Sequence, residues 1–475
     1  MAMQTRRPHN VLIFFTDQQR HDVTGVHGCP LDLTPNLDRL ARRGTDVHNT
    51  FSCQPLCGPA RACLQTGTYA TTNGTYRNGI GLNPDLPSLA ECFNKAGYHT
   101  GYVGKWHLSG EPRGEQVVPE SARGGYQTWL GTEALEFSVH EYKTILYDND
   151  NQPVTLPGYR SDAVADALIR MVNDHTQTNP DQPFFMMGSF IEPHHQNDTD
   201  SYPAPDGYAQ RYLGRWCPPD LAALPTHEQA TFQPQAVTGG STQQHFAGYC
   251  GMVRRLDEAL GRVADALKSL GILDNTIVLF TSDHGNHFKT RNAEYKRSGH
   301  EASIRVPAML HGGPFTGAGR IDELVSLIDL PPTLLDACDI DIPQTMQGHS
   351  LMPLVRRDTD PATQRPDSVY IQISESGTAR AVRTRRWKYI VEAPEHDPSA
   401  MHSDTYRETA LYDLEYDPYE LNNLLDYDSF THVRDHMRSR LLAWMEQLNE
   451  PTPTIIEPTS LRPGGRRNSD LTHVC

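Results

Sequence analysis

The chain has 475 residues, of which 37% are hydrophobic and 21% charged, and its formal net charge is -16. This length and composition predict a soluble globular protein with a large core and more than one domain. The negative charge argues against nucleic acid or an anionic membrane as the main partner, and no apolar stretch is long enough to span a bilayer.

The first strand is predicted close to the N-terminus. Arg6 and Arg7 precede the apolar run "VLIFF", an arrangement that superficially resembles a signal peptide. The run is too short for the apolar region of a signal peptide, and no small-residue cleavage site follows it. We therefore expect a buried strand and a cytoplasmic protein. The nine cysteines are odd in number and mostly scattered, which agrees with free thiols in a reducing compartment.

Four short apolar runs predict buried parallel strands, and each leads into side chains that carry chemistry. These side chains are, in chain order, Asp17 and Gln18, Lys105 and His107, His194 and His195, and Asp283 and His284. Amphipathic helical patterns lie between the runs, and several of them end at a glycine. Alternating strands and helices predict a doubly wound α/β sheet, in which ligands bind beyond the carboxyl ends of the strands. The polar residues are therefore expected to meet at one edge of the sheet.

A polar, proline-containing stretch at residues 356–368 separates two predicted domains. We place an α/β catalytic domain at residues 1–364 and a smaller α+β subdomain at residues 365–475. The subdomain is predicted to contain strands in "SVYIQIS" and "RWKYIVEA", an amphipathic helix in "VRDHMRSRLLAWMEQL" and a loose C-terminal tail. Within the first domain, a long loop insertion is predicted from Tyr202 through Trp216 and beyond.

The segment "CGPARACLQTG" begins at Cys57 and predicts a helix that ends at Gly67. Because proline suits the first helical position, Pro59 is expected to start the helix and Cys57 to lie just before it. A helix N-terminus stabilises negative charge, and Arg61 lies one turn further on. The position therefore suits a nucleophile and an oxyanion. The alternative is a buried cysteine that caps the helix.

The pentapeptide "CGPAR" fits the C-x-P-x-R signature of the type I sulfatases, and the resemblance extends over nearly the whole chain. The stretches "TPNLDRLARRG", "GYHTGYVGKWHL", "NTIVLFTSDHG" and "KRSGHEASIRVP" resemble further elements of that family in the same order. The resemblance implies an alkaline-phosphatase-like mixed sheet flanked by helices. It also implies that a separate formylglycine-generating enzyme reads Pro59 and Arg61 and oxidises Cys57 to Cα-formylglycine, which Arg61 later holds.

The resemblance further implies one divalent metal ion, bound by Asp17, Gln18, Asp283 and His284. Carboxylate and amide oxygens suit Ca²⁺, the metal of the family. Many family members have an aspartate where Gln18 stands and an asparagine where His284 stands. The two replacements lower the charge of the site and admit nitrogen, so Mg²⁺ and Mn²⁺ stay open.

Four more catalytic residues are carried over from the family. Lys105 binds the nucleophile and the sulfate, and His107 is the base that helps to release sulfate. Their two-residue spacing on one strand is expected to place both side chains on one face. His194 and Lys296 bind sulfate and assist the departing oxygen as general acids.

The substrate is expected to be a sulfate monoester of a carbohydrate or an aryl alcohol, which a hydrated formylglycine attacks at sulfur. His195 and His300 are candidates for contact with the substrate, with a merely exposed position as the alternative for His195. The aromatic and polar loop from Tyr202 to Trp216 favours a sulfated sugar.

Three other functions compete with this interpretation. A phosphonate monoester or phosphodiester hydrolase shares the fold, the metal site and the formylglycine, but Lys105 and His107 favour a sulfatase. A cysteine-thiolate phosphatase needs a C-x(5)-R loop, whereas Cys57 and Arg61 form C-x(3)-R. A catalytically silent binding protein is expected to lack a ligand or a base, and none of these is missing from the sequence.

Overall fold

The computed structural model describes residues 7–111, 116–227, 242–358, 365–395 and 397–458, which form a large and a small β-sheet with surrounding helices. The strands of the large sheet are β1 (Asn10–Thr16), β2 (Thr45–Phe51), β3 (His99–Lys105), β4 (Thr128–Thr132), β5 (Thr144–Tyr147), β6 (Pro153–Leu156), β7 (Phe184–Ser189), β8 (Thr276–Ser282), β9 (Arg305–Val306), β10 (Ala308–His311) and β11 (Gly319–Ser326). Their order is β11, β2, β10, β8, β1, β7, β3, β4, β5 and β6, with β9 paired to β2.

The centre of the large sheet is parallel and its flanks are mixed. Strands β8, β1, β7, β3 and β4 run parallel to one another, whereas β10 is antiparallel to both β8 and β2. Strands β5 and β6 add an antiparallel hairpin at one edge. The expected doubly wound mixed sheet is therefore confirmed.

Helices cover both faces of this sheet. The α-helices of the described residues are α1 (Pro35–Arg43), α2 (Cys57–Thr66), α3 (Ala70–Asn73), α4 (Leu89–Lys95), α5 (Leu135–Ser138), α6 (Arg160–Thr178), α7 (Pro219–Ala223), α8 (Thr242–Ser269), α9 (Glu301–Ile304), α10 (Leu330–Ala337), α11 (Met352–Arg356) and α12 (Thr431–Gln447). None of these helices combines the length and the apolar character that crossing a lipid bilayer requires.

Strand β1 shows why its sequence is apolar without a break. Val11, Ile13 and Phe15 pack into one core with α2, α4 and α10, while Leu12 and Phe14 pack into a second core with α1, α6 and α8. Alternate side chains of a strand point to opposite faces, so a strand covered on both sides needs apolar residues at every position.

The small sheet contains β12 (Ser368–Ile373), β13 (Ala379–Thr384), β14 (Trp387–Glu392), β15 (Thr405–Asp413) and β16 (Thr454–Ile456), paired in that order. One face packs with α12 and with Cys53, Cys63 and Tyr69 of the large unit. The other face packs against Phe51 and Ile304. This separate α+β unit agrees with the expected architecture. The boundary at residue 364 lies in a segment outside the described residues and stays a prediction.

Two local expectations are wrong. Helix α2 begins at Cys57, because Leu56 is the extended residue before it, so Pro59 is the third helical residue. Proline is tolerated there because the first N–H groups of a helix have no acceptor within it. Strand β3 ends at Lys105, and His107 has a left-handed φ of 61°, so the two residues do not share a strand face.

The long loop insertion is only partly described. Tyr202 at its start is buried against Tyr249 and Phe288 rather than presented to solvent. Residues 228–241 lie outside the described residues. The position of Tyr202 therefore gives no support to the expectation that this loop favours a sulfated sugar.

Candidate active site

The carboxyl ends of β1 and β8 place two aspartates side by side. These strands are parallel and paired from Asn10 with Thr276 to Thr16 with Ser282, and Asp17 and Asp283 are the next residue of each chain segment. Asp283 Oδ1 accepts hydrogen bonds from the backbone N–H groups of Gln18 and His284, at 3.0 and 2.7 Å. Both carboxylates are fully buried.

Cys57 lies against this pair at the N-terminus of α2. Its Sγ is 3.6 Å from Asp17 Oδ1 and 3.4 Å from His284 Nε2. One ligand atom from each of Asp17, Cys57, Asp283 and His284 lies within 4.8 Å of the others, and all four residues are buried. These residues therefore form a group that can hold a metal ion.

The electrostatics of the two aspartates fit a cation. Burial and the charge of Asp17 raise the pKa of Asp283 to about 6, since two buried carboxylates repel each other. A divalent ion between them would relieve this repulsion, and an oxygen-rich donor set suits a hard cation. The side chain of Gln18 is adjacent, but its Oε1 faces His195 Nδ1 at 3.3 Å. The role of Gln18 as a ligand stays a prediction.

The surroundings of Cys57 are otherwise positively charged. Lys296 Nζ lies 2.9 Å from Cys57 Sγ and 2.9 Å from His194 Nε2. Burial alone raises the pKa of the Cys57 thiol, but Lys105, Lys296, His284 and a hydrogen bond from His107 outweigh it and hold that pKa well below its usual value. The position therefore stabilises negative charge, as both a nucleophile and a bound sulfate require.

Lys105 is completely buried and bridges two carboxylates. Its Nζ donates to Asp17 Oδ2 at 2.8 Å and to Glu136 Oε1 at 3.0 Å. Burial lowers the pKa of Lys105, but Asp17, Cys57 and Glu136 outweigh burial and raise it above the usual value. Lys105 therefore carries a fixed positive charge next to Cys57.

Arg61 ties the elements of the site together. Its Nη1 donates to Lys105 O at 3.0 Å and to Ser189 Oγ at 2.7 Å, while Nη2 donates to Asp17 Oδ2 at 2.9 Å. Strands β3 and β7 approach closely here. A side chain at Gly104 does not fit, since its Cβ would lie only 2.0 Å from Ser189 O. Gly104 also has a φ of 113°, which favours glycine.

His107 reaches the site from the turn that follows β3. It is half-buried, hydrogen-bonds to Cys57, and its Nδ1 has no hydrogen-bond partner within the described residues. The residue predicted as the base is therefore at Cys57, although it arrives there by a left-handed turn rather than by strand periodicity.

The two predicted substrate-contact histidines differ in position, since His195 is stacked on His194 with ring centroids 4.5 Å apart, whereas His300 lies against the small sheet. His195 is buried, with its ring 4.1 Å from that of Tyr295, so the alternative of an exposed position is wrong. His300 is half-buried, and its Nε2 lies 3.2 Å from the hydroxyl of Tyr412 in the small sheet. Contact of either residue with substrate stays a prediction.

Two further residues, Glu136 and Asn78, contact the site. Glu136 was not predicted from the sequence. Asn78 Oδ1 accepts a hydrogen bond from Gly58 N, in the first turn of α2, at 3.0 Å. Glu136 stands in the short helix α5, 31 residues from Lys105. No repeat, strand end or motif marks it, so only the folded chain reveals this contact.

Comparisons with known proteins agree with this geometry. Residues 9–340 match the family model described as "Sulfatase", and residues 293–447 match "N-sulphoglucosamine sulphohydrolase, C-terminal". The chain is 30% identical over 458 residues to the ulvan-active sulfatase of Formosa agariphila, covering 93% of this chain and 82% of that protein.

Two solved structures share the fold. One, described as a complex with its substrate D-glucosamine-2-N,6-O-disulfate, has a TM-score of 0.73 at 22% identity and covers 93% of this chain and 98% of its own. The other, a phosphonate monoester hydrolase from Silicibacter pomeroyi, has a TM-score of 0.69 at 21% identity, with coverages of 92% and 95%. These likenesses support the fold alone. The family match over residues 9–340 and the relative at 30% identity show that the chain belongs to the type I sulfatases of the alkaline phosphatase superfamily and is a sulfuric ester hydrolase.

Proposed function

We propose that this sulfatase hydrolyses a sulfated carbohydrate and uses Cα-formylglycine, formed from Cys57, together with one divalent metal ion. The observation that carries the proposal is the convergence on Cys57 Sγ of Lys296 at 2.9 Å, His284 at 3.4 Å and Asp17 at 3.6 Å. A side chain so placed meets a helix N-terminus, a lysine ammonium and two metal-competent groups, an imidazole and a carboxylate, at once.

Asp17, Asp283, His284 and Gln18 are the proposed metal ligands, with Ca²⁺ as the first candidate and Mg²⁺ or Mn²⁺ as alternatives. When bound, the ion would lower the pKa of a hydroxyl of the hydrated formylglycine and screen the charge of sulfate. Arg61 supports this arrangement by donating a hydrogen bond to Asp17 Oδ2 at 2.9 Å, which orients the carboxylate.

Lys105 and Lys296 are the proposed sulfate-binding cations. Burial and the charge of Lys296 lower the pKa of His194, so its neutral ring accepts a hydrogen bond from Lys296 Nζ. Lys296 Nζ is then the proton donor nearest the departing oxygen. The hydrogen bond to His194 orients its ammonium group. The pair thus serves as the general acid.

His107 is the proposed base for the step that releases sulfate. Its ring hydrogen-bonds to Cys57, and its Nδ1 has no other partner in the described part of the chain. A half-buried imidazole can take up a proton from the modified side chain and pass it to solvent.

A carbohydrate is the proposed alcohol because the names of both the ulvan-active relative and the disulfated glucosamine complex point to sugars. A panel of sulfated monosaccharides, an aryl sulfate and a phosphonate monoester tests this choice. We expect the highest kcat/KM on a sugar sulfate. A preference for the phosphonate ester would instead favour the alternative, whose solved representative shares the fold.

The modification is tested by the mass of the tryptic peptide at residues 44–61, from protein made with and without a formylglycine-generating enzyme. We expect Cys57 to become an aldehyde that a hydrazine traps, while Cys53 in the same peptide stays a thiol and serves as the internal control. Full activity with an intact Cys57 thiol would overturn the proposed nucleophile.

A further inference from the structure

Three histidines that the proposed reaction does not use lie together beside β2. His21 and His27 follow β1 in the chain, and His48 lies on β2. One ring nitrogen from each lies within 4.8 Å of those of the other two. Among the residues that the structure describes, this cluster and the one around Cys57 are the two groups of His, Cys, Asp or Glu close enough to share an ion.

An oxygen atom lies near one ring nitrogen of each of the three histidines. His21 Nε2 lies 3.0 Å from the backbone oxygen of His48, and His27 Nε2 lies 2.8 Å from Asp46 Oδ1. Asp46 Oδ2 is 3.7 Å from His48 Nδ1. Histidines that bind metals typically hold their second ring nitrogen against a carbonyl or a carboxylate, which fixes the ring and its tautomer. Asp46 and the His48 carbonyl are therefore suitable partners for metal-binding rings.

The rings also have the protonation state that metal binding needs. Burial, Arg305 and the neighbouring histidines lower the pKa of His21 well below its usual value. Burial likewise lowers the pKa of His27, against the opposing effect of Asp46. Neutral imidazole presents a lone pair, so neither ring has to lose a proton at neutral pH before it binds a metal.

Solvent and ions can reach the cluster. The three rings line a pocket of about 190 Å³, and the side chain of His48 is 19% exposed. The lining also includes the acidic residues Asp22, Asp220, Glu301 and Glu420 and the cationic residues Arg20, Arg291 and Arg305. Of these, Asp22 and Asp220 are paired with the buried Arg20, at 2.7 and 2.9 Å.

An entering ion has to displace two contacts. The rings of His21 and His27 are stacked with centroids 3.8 Å apart, and Thr24 Oγ1 lies 2.6 Å from His27 Nδ1. A metal bound by both rings lies in the plane of each, so the rings must tilt out of the stack. Both contacts involve side chains, and neither requires a change in β2.

We propose that His21, His27 and His48 form a second metal site, specific for a transition-metal ion of the Zn²⁺ class, with Asp46 positioning His27. Imidazole nitrogens suit Zn²⁺, Co²⁺, Ni²⁺ and Cu²⁺, whereas Ca²⁺ takes oxygen ligands. The site differs in chemistry from the oxygen-rich group at Asp17 and Asp283. A bound ion would join the segment that follows Asp17 to β2.

The test is a titration of the purified full-length protein with Co²⁺ in excess Ca²⁺, followed by the visible absorption of protein-bound Co²⁺. We expect one saturable equivalent with the intense bands of a low-coordinate nitrogen site, displaced by Zn²⁺ but not by Ca²⁺. Asp283→Asn should leave the bands unchanged, His48→Gln should abolish them, and Asp46→Asn should weaken Co²⁺ binding by about 10–100-fold.

The matched control is His175→Gln. His175 is also a buried histidine stacked on another, His99, with centroids 4.8 Å apart, but within the described residues that pair belongs to no group of three metal-ligating side chains. We expect this variant to bind Co²⁺ as the wild type does. Wild-type protein without a saturable band, or a band lost in Asp283→Asn and kept in His48→Gln, would refute the site. These wild-type and Asp283→Asn results decide the matter even if His48→Gln does not fold.

Discussion

Lys105 and Lys388 invite comparison, because each is a fully buried lysine placed between two carboxylates. Lys105 contacts Asp17 at 2.8 Å and Glu136 at 3.0 Å. Lys388, on β14, is ion-paired with Glu301 and Glu420, both at 2.7 Å. Only the first pair of carboxylates shares its surroundings with a reactive side chain, Cys57.

The difference lies in what surrounds each lysine. Lys105 and Lys296, together with the N-terminus of α2, stabilise negative charge at Cys57. Lys388 instead joins α9 of the large unit to the small sheet, and Arg383 and Arg305 also approach Glu301, at 3.5 and 3.9 Å. A buried lysine with two acidic partners therefore does not identify a catalytic site, whereas the adjacent nucleophile does.

The largest expected effect is on turnover. Lys105→Met should lower kcat on a sulfate ester by about 10²–10³-fold, as expected for loss of one preorganised charge at the reaction centre. Lys388→Met should leave kcat per folded molecule unchanged. Steady-state kinetics on both variants, with the folded fraction determined by circular dichroism, makes the measurement. Equal losses of kcat in the two variants would contradict the assignment of Lys105, and not Lys388, to the active site.

The next effect is on folding stability, and it is expected in Lys388→Met. Lys388→Met leaves Glu301 and Glu420 buried without their shared cation, which should lower the free energy of unfolding by about 3–5 kcal/mol. Urea denaturation measures this value. A triple variant that also carries Glu301→Gln and Glu420→Gln should recover part of the loss. An unchanged urea midpoint in Lys388→Met would show that the ion pairs contribute nothing net.

A smaller effect is expected at the acidic partners. Glu136→Gln keeps an oxygen acceptor for Lys105 but loses the charge, and a charge-assisted hydrogen bond contributes about 1.5 kcal/mol or more, or about tenfold in rate. We expect kcat to fall by about that factor with KM little changed. Glu420→Gln is the matched control, and its kcat should equal that of the wild type. A wild-type kcat in Glu136→Gln would limit Glu136 to a structural role.

The smallest effect concerns acid stability. Burial raises the pKa of Glu301, but Lys388, Arg383 and Arg305 outweigh burial and lower it from 4.5 to about 2. Its contribution to stability is therefore complete above pH 4.5 and disappears as the pH falls toward 2. Over that range Glu301→Gln should reduce the pH dependence of the unfolding free energy by up to about 1.4 kcal/mol per pH unit. Parallel slopes for variant and wild type would contradict this assignment.

The residues at strand ends were predictable from sequence because the signal is local. The uninterrupted apolar runs of β1 and β8 mark central parallel strands, and the paired register of such strands brings Asp17 and Asp283 together. The alternation of such strands with amphipathic helices likewise predicted a sheet with helices on both faces. Lys296 carried no such signal, since it stands in an irregular segment, and only the resemblance to a family singled it out.

Other features depend on contacts that no local pattern encodes. Strand β2 reads "TDVHNTF", too polar for a typical buried strand, and the side chains of Asp46 and His48 both contact His27 in the segment after β1. The position of His107 depends on a left-handed backbone that spacing rules do not foresee. The start of α2 was displaced by two residues because proline is tolerated anywhere in the first helical turn.

The burial of α2 also determines when another protein can reach Cys57. Every residue from 51 to 70 is buried, and Cys57 is only 1% exposed. If Cys57 is modified as proposed, the second enzyme has to bind Cys57, Pro59 and Arg61 before the two sheets close around the helix. Chain folding would then compete with modification, and a variant that folds faster would carry less formylglycine.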